Sequence, residues 1–458
     1  MRYYSTRNKS EYVDFACAAL TGLAPDGGLF IPEEIPLYPE NVRSSLGLMD
    51  FKDIAFETIK PYVKDAIGDS PLSDIIHSSF TFNAPFIAVM DRYALELFHG
   101  PTAAFKDFGA RFMARAFSYL RRGEDKPLRI LAATSGDTGG AVADGFFDVP
   151  GIFVTVLYPK KRVTPLQEKQ IAGLGKNISA IEVEGSFDDC QRLVKAALAD
   201  EDLKKRAALS SANSINISRL IPQAVYYASA AGRAFSGKTD PDGEATPRVS
   251  PKSGRATYTV RAPQRGARVT LCVPSGNFGN LTAGLYAMKM GAPVKQFIAA
   301  TNSNKTFPDY LDSGEYQARA SQATISNAMD VGAPSNFERM SAHFSLDEMR
   351  SLILGVSVSD SETKATVVRV AENAGYMLDP HSAVGWKGVD KLSAENKAGE
   401  GPFGVLCTAH PAKFNEVVEP LIGKPPMPET LLRAMDRTVN AKTIPADVNA
   451  LIDILKNI

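Results

Sequence analysis

A lysine wedged between phenylalanines follows a glycine–proline break in the stretch Leu97-Phe98-His99-Gly100-Pro101-Thr102-Ala103-Ala104-Phe105-Lys106-Asp107-Phe108-Gly109. Gly100-Pro101 ends the strand-like run 94–98. From Phe105 the apolar residues recur at helical spacing, through Phe108, Phe112, Ala116 and Leu120. Lys106 therefore stands at the head of a helix in apolar surroundings. Desolvation there lowers an ammonium pKa, and the freed amine can condense with an aldehyde. The alternative reading is a surface lysine whose stem covers apolar side chains.

Three further stretches offer anion-binding chemistry. Ser275-Gly276-Asn277-Phe278-Gly279-Asn280 joins a strand at 268–273 to a helix at 281–290. Glycines allow close backbone approach, and converging N–H groups at a helix N-terminus suit a phosphate. The loop lacks a Gly-Lys-Ser/Thr ending and is not GxGxxG, so neither a P-loop nor a dinucleotide site is indicated. A turn that needs glycine for geometry is the competing reading. Ser135-Gly136-Asp137-Thr138-Gly139-Gly140 follows the strand 128–133, where hydroxyls and free amides suit a carboxylate or a cofactor's polar edge. Asn213-Ser214-Ile215-Asn216-Ile217-Ser218-Arg219 combines amides and hydroxyls with a guanidinium, whose fork matches phosphate oxygens; taken alone, such a stretch is more often a capped helix start.

The elements that must position these loops form an α/β alternation. Strands at 128–133, 152–157 and 178–183 alternate with helices at 165–174 and 187–198, the latter capped by Ser186. This predicts a parallel sheet covered on both faces. Strands at 268–273, 294–300 and 403–407 predict more of the same, with a closing helix at 446–455. Residues 236–266 shift to Gly, Pro, Ser, Thr and charges and read as a mobile insertion, with edge strands around 257–260 as the alternative for its centre. The N-terminal region predicts helices at 10–20, with Ser10 as N-cap, and at 51–67. The division expected is 1–94, an N-terminal region; 95–212, a smaller α/β unit with Lys106; and 213–458, a larger one with the glycine-rich loop.

Composition narrows the function classes. Lys plus Arg equals Asp plus Glu, 51 of each in 458 residues, so the basic footprint of a nucleic-acid binder is lacking. The chain contains no apolar run long enough for a bilayer, and Met1-Arg2-Tyr3-Tyr4-Ser5-Thr6-Arg7 has no leader pattern, so the cytoplasm is expected. Four cysteines without a CxxC pair and five histidines without ligand spacing predict no metal and no disulfide framework.

Taken together, His99-Gly100-Pro101-Thr102 through Gly109, Ala133 through Gly139, Pro165-Leu166-Gln167-Glu168-Lys169, Asn213 through Arg219, Val273 through Asn280, and Thr408-Ala409-His410-Pro411-Ala412-Lys413-Phe414 resemble threonine synthase, in its longer bacterial and fungal branch. Tyr3 through Arg7 and Gly22 through Leu29 resemble that branch too; only 236–266 departs, by its length. The resemblance implies a fold type II pyridoxal-phosphate enzyme, with two parallel-sheet α/β domains around a cofactor cleft and an added N-terminal region. Lys106 would then carry pyridoxal 5'-phosphate and move protons. Ser275, Gly276, Asn277, Phe278, Gly279 and Asn280 would hold its phosphate, and Thr408 would face the pyridine nitrogen without holding it protonated. Thr102, Ser135, Gly136, Asp137 and Thr138 would surround the substrate carboxylate and the cofactor's phenolic edge, Asp137 standing where shorter relatives have asparagine. Ser214, Asn216 and Arg219 would take the substrate phosphate. The implied reaction converts O-phospho-L-homoserine and water to L-threonine and phosphate, by elimination and then addition of water at Cβ, as the last step of threonine biosynthesis, in a monomer or homodimer. Alternatives are a serine/threonine dehydratase or cysteine synthase of the same fold, or a non-catalytic relative that binds a phosphorylated ligand.

Overall fold

The computed structural model describes residues 1–243, 245–249 and 262–456. Two α/β layers meet along one cleft. The first is a six-stranded sheet in the spatial order Ile353–Ser357, Val294–Thr301, Val269–Pro274, Phe403–Cys407, Arg92–Glu96 and Phe86–Val89, all parallel except the last pair. The second is a wholly parallel five-stranded sheet in the order Ala441–Pro445, Ile178–Glu184, Ile152–Pro159, Leu128–Ala133 and Ala208–Ser211. The inner strands are near-continuous apolar runs, as strands covered by helices on both faces require.

Both sheets cross the boundaries expected from sequence. Arg92–Glu96 pairs with Phe403–Cys407, Ala94 opposite Val405, so chain from the expected N-terminal region completes the larger sheet. The last strand, Ala441–Pro445, returns to the smaller sheet beside Ile178–Glu184. The helix Val448–Lys456 then buries Leu451 and Leu455 in the same apolar cluster as Ile181 and Leu193.

The N-terminal helix starts later than its spacing predicts. Asn8–Val13 is an exposed edge strand, antiparallel to Tyr3–Ser5, and the helix is Phe15–Thr21. Asp14, not Ser10, is the cap: its carboxylate accepts from Cys17 N at 2.8 Å. Ser10 is turned by Asn8, whose Oδ1 accepts from both its N and its Oγ.

The expected insertion at 236–266 also makes contacts. Its described part is hydrogen-bonded to the rest of the fold: Asp240 N donates to Phe86 O at 2.8 Å, Val249 N to Gly375 O at 2.8 Å, and Met377 N to Pro247 O at 3.0 Å. The alternative strands around 257–260 fall outside the described residues.

The helix Lys106–Leu120 is fixed at its head by an aromatic cluster. The Phe108 ring lies 4.9 Å from Phe82, 5.2 Å from Tyr226, 5.8 Å from Phe51 and 5.9 Å from Phe80. Such pairs add about 0.5–1.5 kcal/mol each beyond burial. The loop before the helix is stitched to the segment after Phe403–Cys407: Leu97 N donates to Cys407 O at 2.9 Å, Phe105 N to Thr408 O at 2.9 Å, and His410 N to Ala103 O at 3.0 Å. Lys106 and Thr408 are thereby set side by side from opposite ends of the chain.

Candidate active site

A cavity of about 400 Å³ opens beyond the carboxyl ends of both sheets, where ligands bind in open α/β folds. Lys106, Ser135, Asp137, Thr138, Ser214, Arg219, Thr408 and residues 275–280 all line it. The fold thus brings five distant loops to one crevice.

Lys106 is the first residue of its helix, and its Nζ sits 4.8 Å from the Phe105 ring centroid. Enclosure by protein around the stem lowers the ammonium pKa from 10.5 to about 8. Lys413 and Arg219 push the same way, while Asp137 and Asp379 oppose them. A far larger share of the amine, about a tenth at pH 7, is therefore available as a base or nucleophile than at an ordinary lysine.

The loop 275–280 has the form of an anion cradle. Ser275 N is used by Ala300 O at 2.8 Å, but the backbone N–H groups from Gly276 to Leu281 meet no protein acceptor among the described residues. They head the helix Gly279–Met290, whose dipole favours an anion. Phe278 holds the left-handed conformation at φ 60°. Gly276 cannot be larger, because a Cβ would stand 2.8 Å from Met329 Cα. Buried Asn280 directs its Oδ1 to Tyr226 and Tyr227, at 2.5 and 2.7 Å, and its Nδ2 has no partner. Asn277 joins the cradle to its neighbours, donating to Ser214 Oγ at 2.6 Å and accepting from Ser335 N at 2.5 Å. A row of unused donors facing a desolvated lysine fits an aldehyde cofactor bearing a phosphate.

Arg219 is 2% exposed. Its Nη1 donates to Ala212 O at 2.7 Å, and its Nε has no partner. Burial lowers its pKa to about 10, which leaves it charged at neutral pH. A buried guanidinium with unused donors favours an anionic ligand. Gly109 seats it, since a Cβ there would lie 2.6 Å from Arg219 O. Gly109→Ala is expected to displace Arg219 and to raise the KM for a phosphorylated substrate about 10–100-fold. Cofactor affinity should be unchanged; steady-state kinetics beside a cofactor titration check this, and equal losses in both would remove Arg219 from the substrate side.

Three expected residues do not reach the cavity wall. Asn216 is fully buried as a helix cap: its Nδ2 donates to Ala19 O and Ser211 O, and its Oδ1 accepts from Ser218 N and Oγ. Its amide is spent on folding the anion loop rather than on an anion. Thr102 is occupied with Asp107, donating from N at 2.9 Å and from Oγ1 at 2.6 Å. Gly136, at φ 141°, serves close packing, since a Cβ would overlap the Gln167 amide at 2.5 Å.

Lys413 is the main residue that sequence reasoning left without a role. Its fully buried Nζ pairs with Asp137 Oδ1 at 2.8 Å and donates to Thr102 O at 2.7 Å. Gln167 Nε2 donates to the same Asp137 oxygen at 2.9 Å. Burial alone would raise the Asp137 pKa, but Lys413 and then Lys106 hold it well below the usual carboxylate range. The signal was present: Lys413 lies among Pro411, Ala412 and Phe414, apolar company like that of Lys106. His381 and Asp330, also on the wall, were missed. His381 Nδ1 bonds Asp379 at 2.7 Å and its Nε2 accepts from Ala328 N at 3.1 Å.

Comparison with known proteins bears on this site. A family model described as "Threonine synthase N terminus" matches residues 2–80. One described as "Pyridoxal-phosphate dependent enzyme" matches 88–236 and 252–409, passing over 237–251, and "Threonine synthase, C-terminal" matches 382–455. The chain is 40% identical to threonine synthase of Escherichia coli (strain K12) over 461 residues, covering 100% of both chains. It is similar to the crystal structure of the E. coli enzyme with a TM-score of 0.86, 38% identity and 100% coverage of both. It also matches a PLP-bound threonine synthase from Brucella melitensis with a TM-score of 0.85 and 33% identity, over 100% of this chain and 99% of that one.

Proposed function

The chain belongs to the threonine synthase family, and on that premise we propose that it converts O-phospho-L-homoserine and water to L-threonine and inorganic phosphate. Its cofactor is pyridoxal 5'-phosphate, which when bound supplies a conjugated ring that accepts the electron pairs left by departing protons. One observation supports the reading most: a desolvated Lys106, a row of amides free to bind phosphate, and the buried Arg219 share one cavity.

The residues divide the work as follows. The amides from Gly276 to Asn280 and the helix behind them hold the cofactor phosphate. Thr408, also on the cavity wall, would hold the ring nitrogen with an uncharged hydroxyl. Lys106 would hold the cofactor, and its Nζ takes protons from the substrate's Cα and Cβ and returns them, a task suited to an amine with a pKa of about 8. Arg219 and Ser214 bind the substrate phosphate and stabilise its charge as the Cγ–O bond breaks. Ser135 and Thr138 bind the substrate carboxylate. Water then adds at Cβ. The cytoplasm is the proposed compartment; four cysteines without disulfides suit it.

The test is turnover of O-phospho-L-homoserine with threonine and phosphate followed together. Equal amounts of both are expected. Keto acid and ammonia from serine or threonine, with no phosphate from phosphohomoserine, would instead assign a dehydratase.

A further inference from the structure

We propose that residues 240–243 and 245–249, which lie in the stretch passed over by the family pattern, form a strap that positions the two loops bearing Lys106 and Thr408, with Glu96 as its anchor. This rests on the proposed role of those loops. Glu96 ends the strand Arg92–Glu96 and is fully buried. It is reached by side chains from three separate parts of the chain. His99 Nε2 and Thr246 Oγ1 both lie on its Oε2, at 2.7 and 2.6 Å, and Tyr376 Oη donates to Oε1 at 2.9 Å.

Each partner leads into the cavity wall. His99 opens the loop that ends in Lys106. Tyr376 stands a few residues before His381. Thr246 belongs to the strap, where its hydroxyl oxygen also accepts from Gly243 N at 2.8 Å. The strap touches the Thr408 loop as well, since the His410 ring hydrogen-bonds the Ala245 backbone while its Nδ1 accepts from Ala412 N. Gly243 presses directly on His99: a Cβ there would sit 2.3 Å from the ring's Cε1. The strap's own ends are tied down, to Phe86 on one side and to Gly375 and Met377 on the other. A buried carboxylate that loses a donor re-aims its remaining partners, and here those partners steer the loops around Lys106.

Thr246 and His99 are thus positioning residues, and Thr246 is the better handle because it does not line the cavity. The test uses the full-length enzyme loaded with pyridoxal 5'-phosphate. Thr246→Val is expected to lower kcat about tenfold with KM within about twofold, and to shift the pH midpoint of the cofactor's visible band. Thr246→Ser should restore both, and Gly243→Ala should move both in the same direction as Thr246→Val. A Thr246→Val protein with the parent's kcat and band midpoint, altered only in melting temperature, would overturn the inference. Failure of Thr246→Ser to restore the band would do the same. The parent enzyme's band and phosphate release are read in parallel, so a failure of the cofactor reading is seen there and not in the variants.

Discussion

Lys106→Ala is expected to abolish turnover and the visible absorbance of the protein with pyridoxal 5'-phosphate, with a fall in kcat of about 10⁴-fold or more. Among the described residues no other lysine lines the cavity, and the buried Lys413 is already committed to Asp137 and Thr102. The rate at which the apoprotein takes up the cofactor should rise with pH through a midpoint near 8, the pKa that burial imposes on this amine. A midpoint near 10.5 would mean that the lysine is not desolvated. Removing this amine should cost activity but raise stability. A base whose pKa drops from 10.5 to about 8 on folding costs the folded state about 3 kcal/mol wherever the amine is charged, that is, below pH 8. The cost fades as pH rises from 8 to 10.5. Lys106→Met should therefore raise the melting temperature of the apoprotein at pH 7 and do so much less at pH 10.5. Differential scanning calorimetry at the two pH values decides it; a gain of equal size at both would assign the effect to packing.

Lys413→Met is expected to be the second most damaging change. It leaves Asp137 charged, buried and bonded only by Gln167, and breaking a buried pair from one side costs about 3–5 kcal/mol. Thr102 O also loses its bond to Lys413 and keeps only Gln170 Nε2 at 3.2 Å, so the Lys106 loop loosens. Activity should fall at least about a hundredfold. Adding Asp137→Asn should recover much of the lost stability, because the orphaned charge is gone, but not the activity. Denaturant unfolding of the two single variants and the double gives the coupling. Simple additivity would show that Lys413 and Asp137 do not act as a pair. The pair also has a pH signature in the parent: the Asp137 pKa is depressed on folding, so its contribution is complete at neutral pH and is lost progressively as pH falls below about 4.

Much of this site was legible because its signals are local. The Phe105–Lys106–Phe108 spacing, the glycines of 275–280 and the caps at helix starts depend on neighbours in sequence, and Ser186 caps its helix as its spacing predicts. What escaped depends on distant chain. Ala441–Pro445 is a mostly exposed run that becomes a strand only because Ile178–Glu184 offers an edge. Asn8–Val13 likewise has no buried face to announce it. Asn216 has the chemistry of an anion ligand, and only the fold shows its amide turned inward to Ala19 and Ser211. Composition could not separate a docked strap from a free loop, because the strap's anchors at Phe86, Glu96 and Gly375 lie 100 residues or more away in sequence.

The return of the final strand to the smaller sheet, and the stitching of residues 97–105 to 407–410, bear on the protein's birth. A ribosome releases the amino end first, yet the lysine loop cannot be pinned until more than four hundred residues have emerged. A nascent chain lacking those contacts would carry this amine hydrated, mostly protonated and slow to condense with aldehydes until synthesis is nearly finished. Competence arrives as a late event, so a polypeptide truncated before Phe403 should be unable to capture the cofactor however well its early helices have formed.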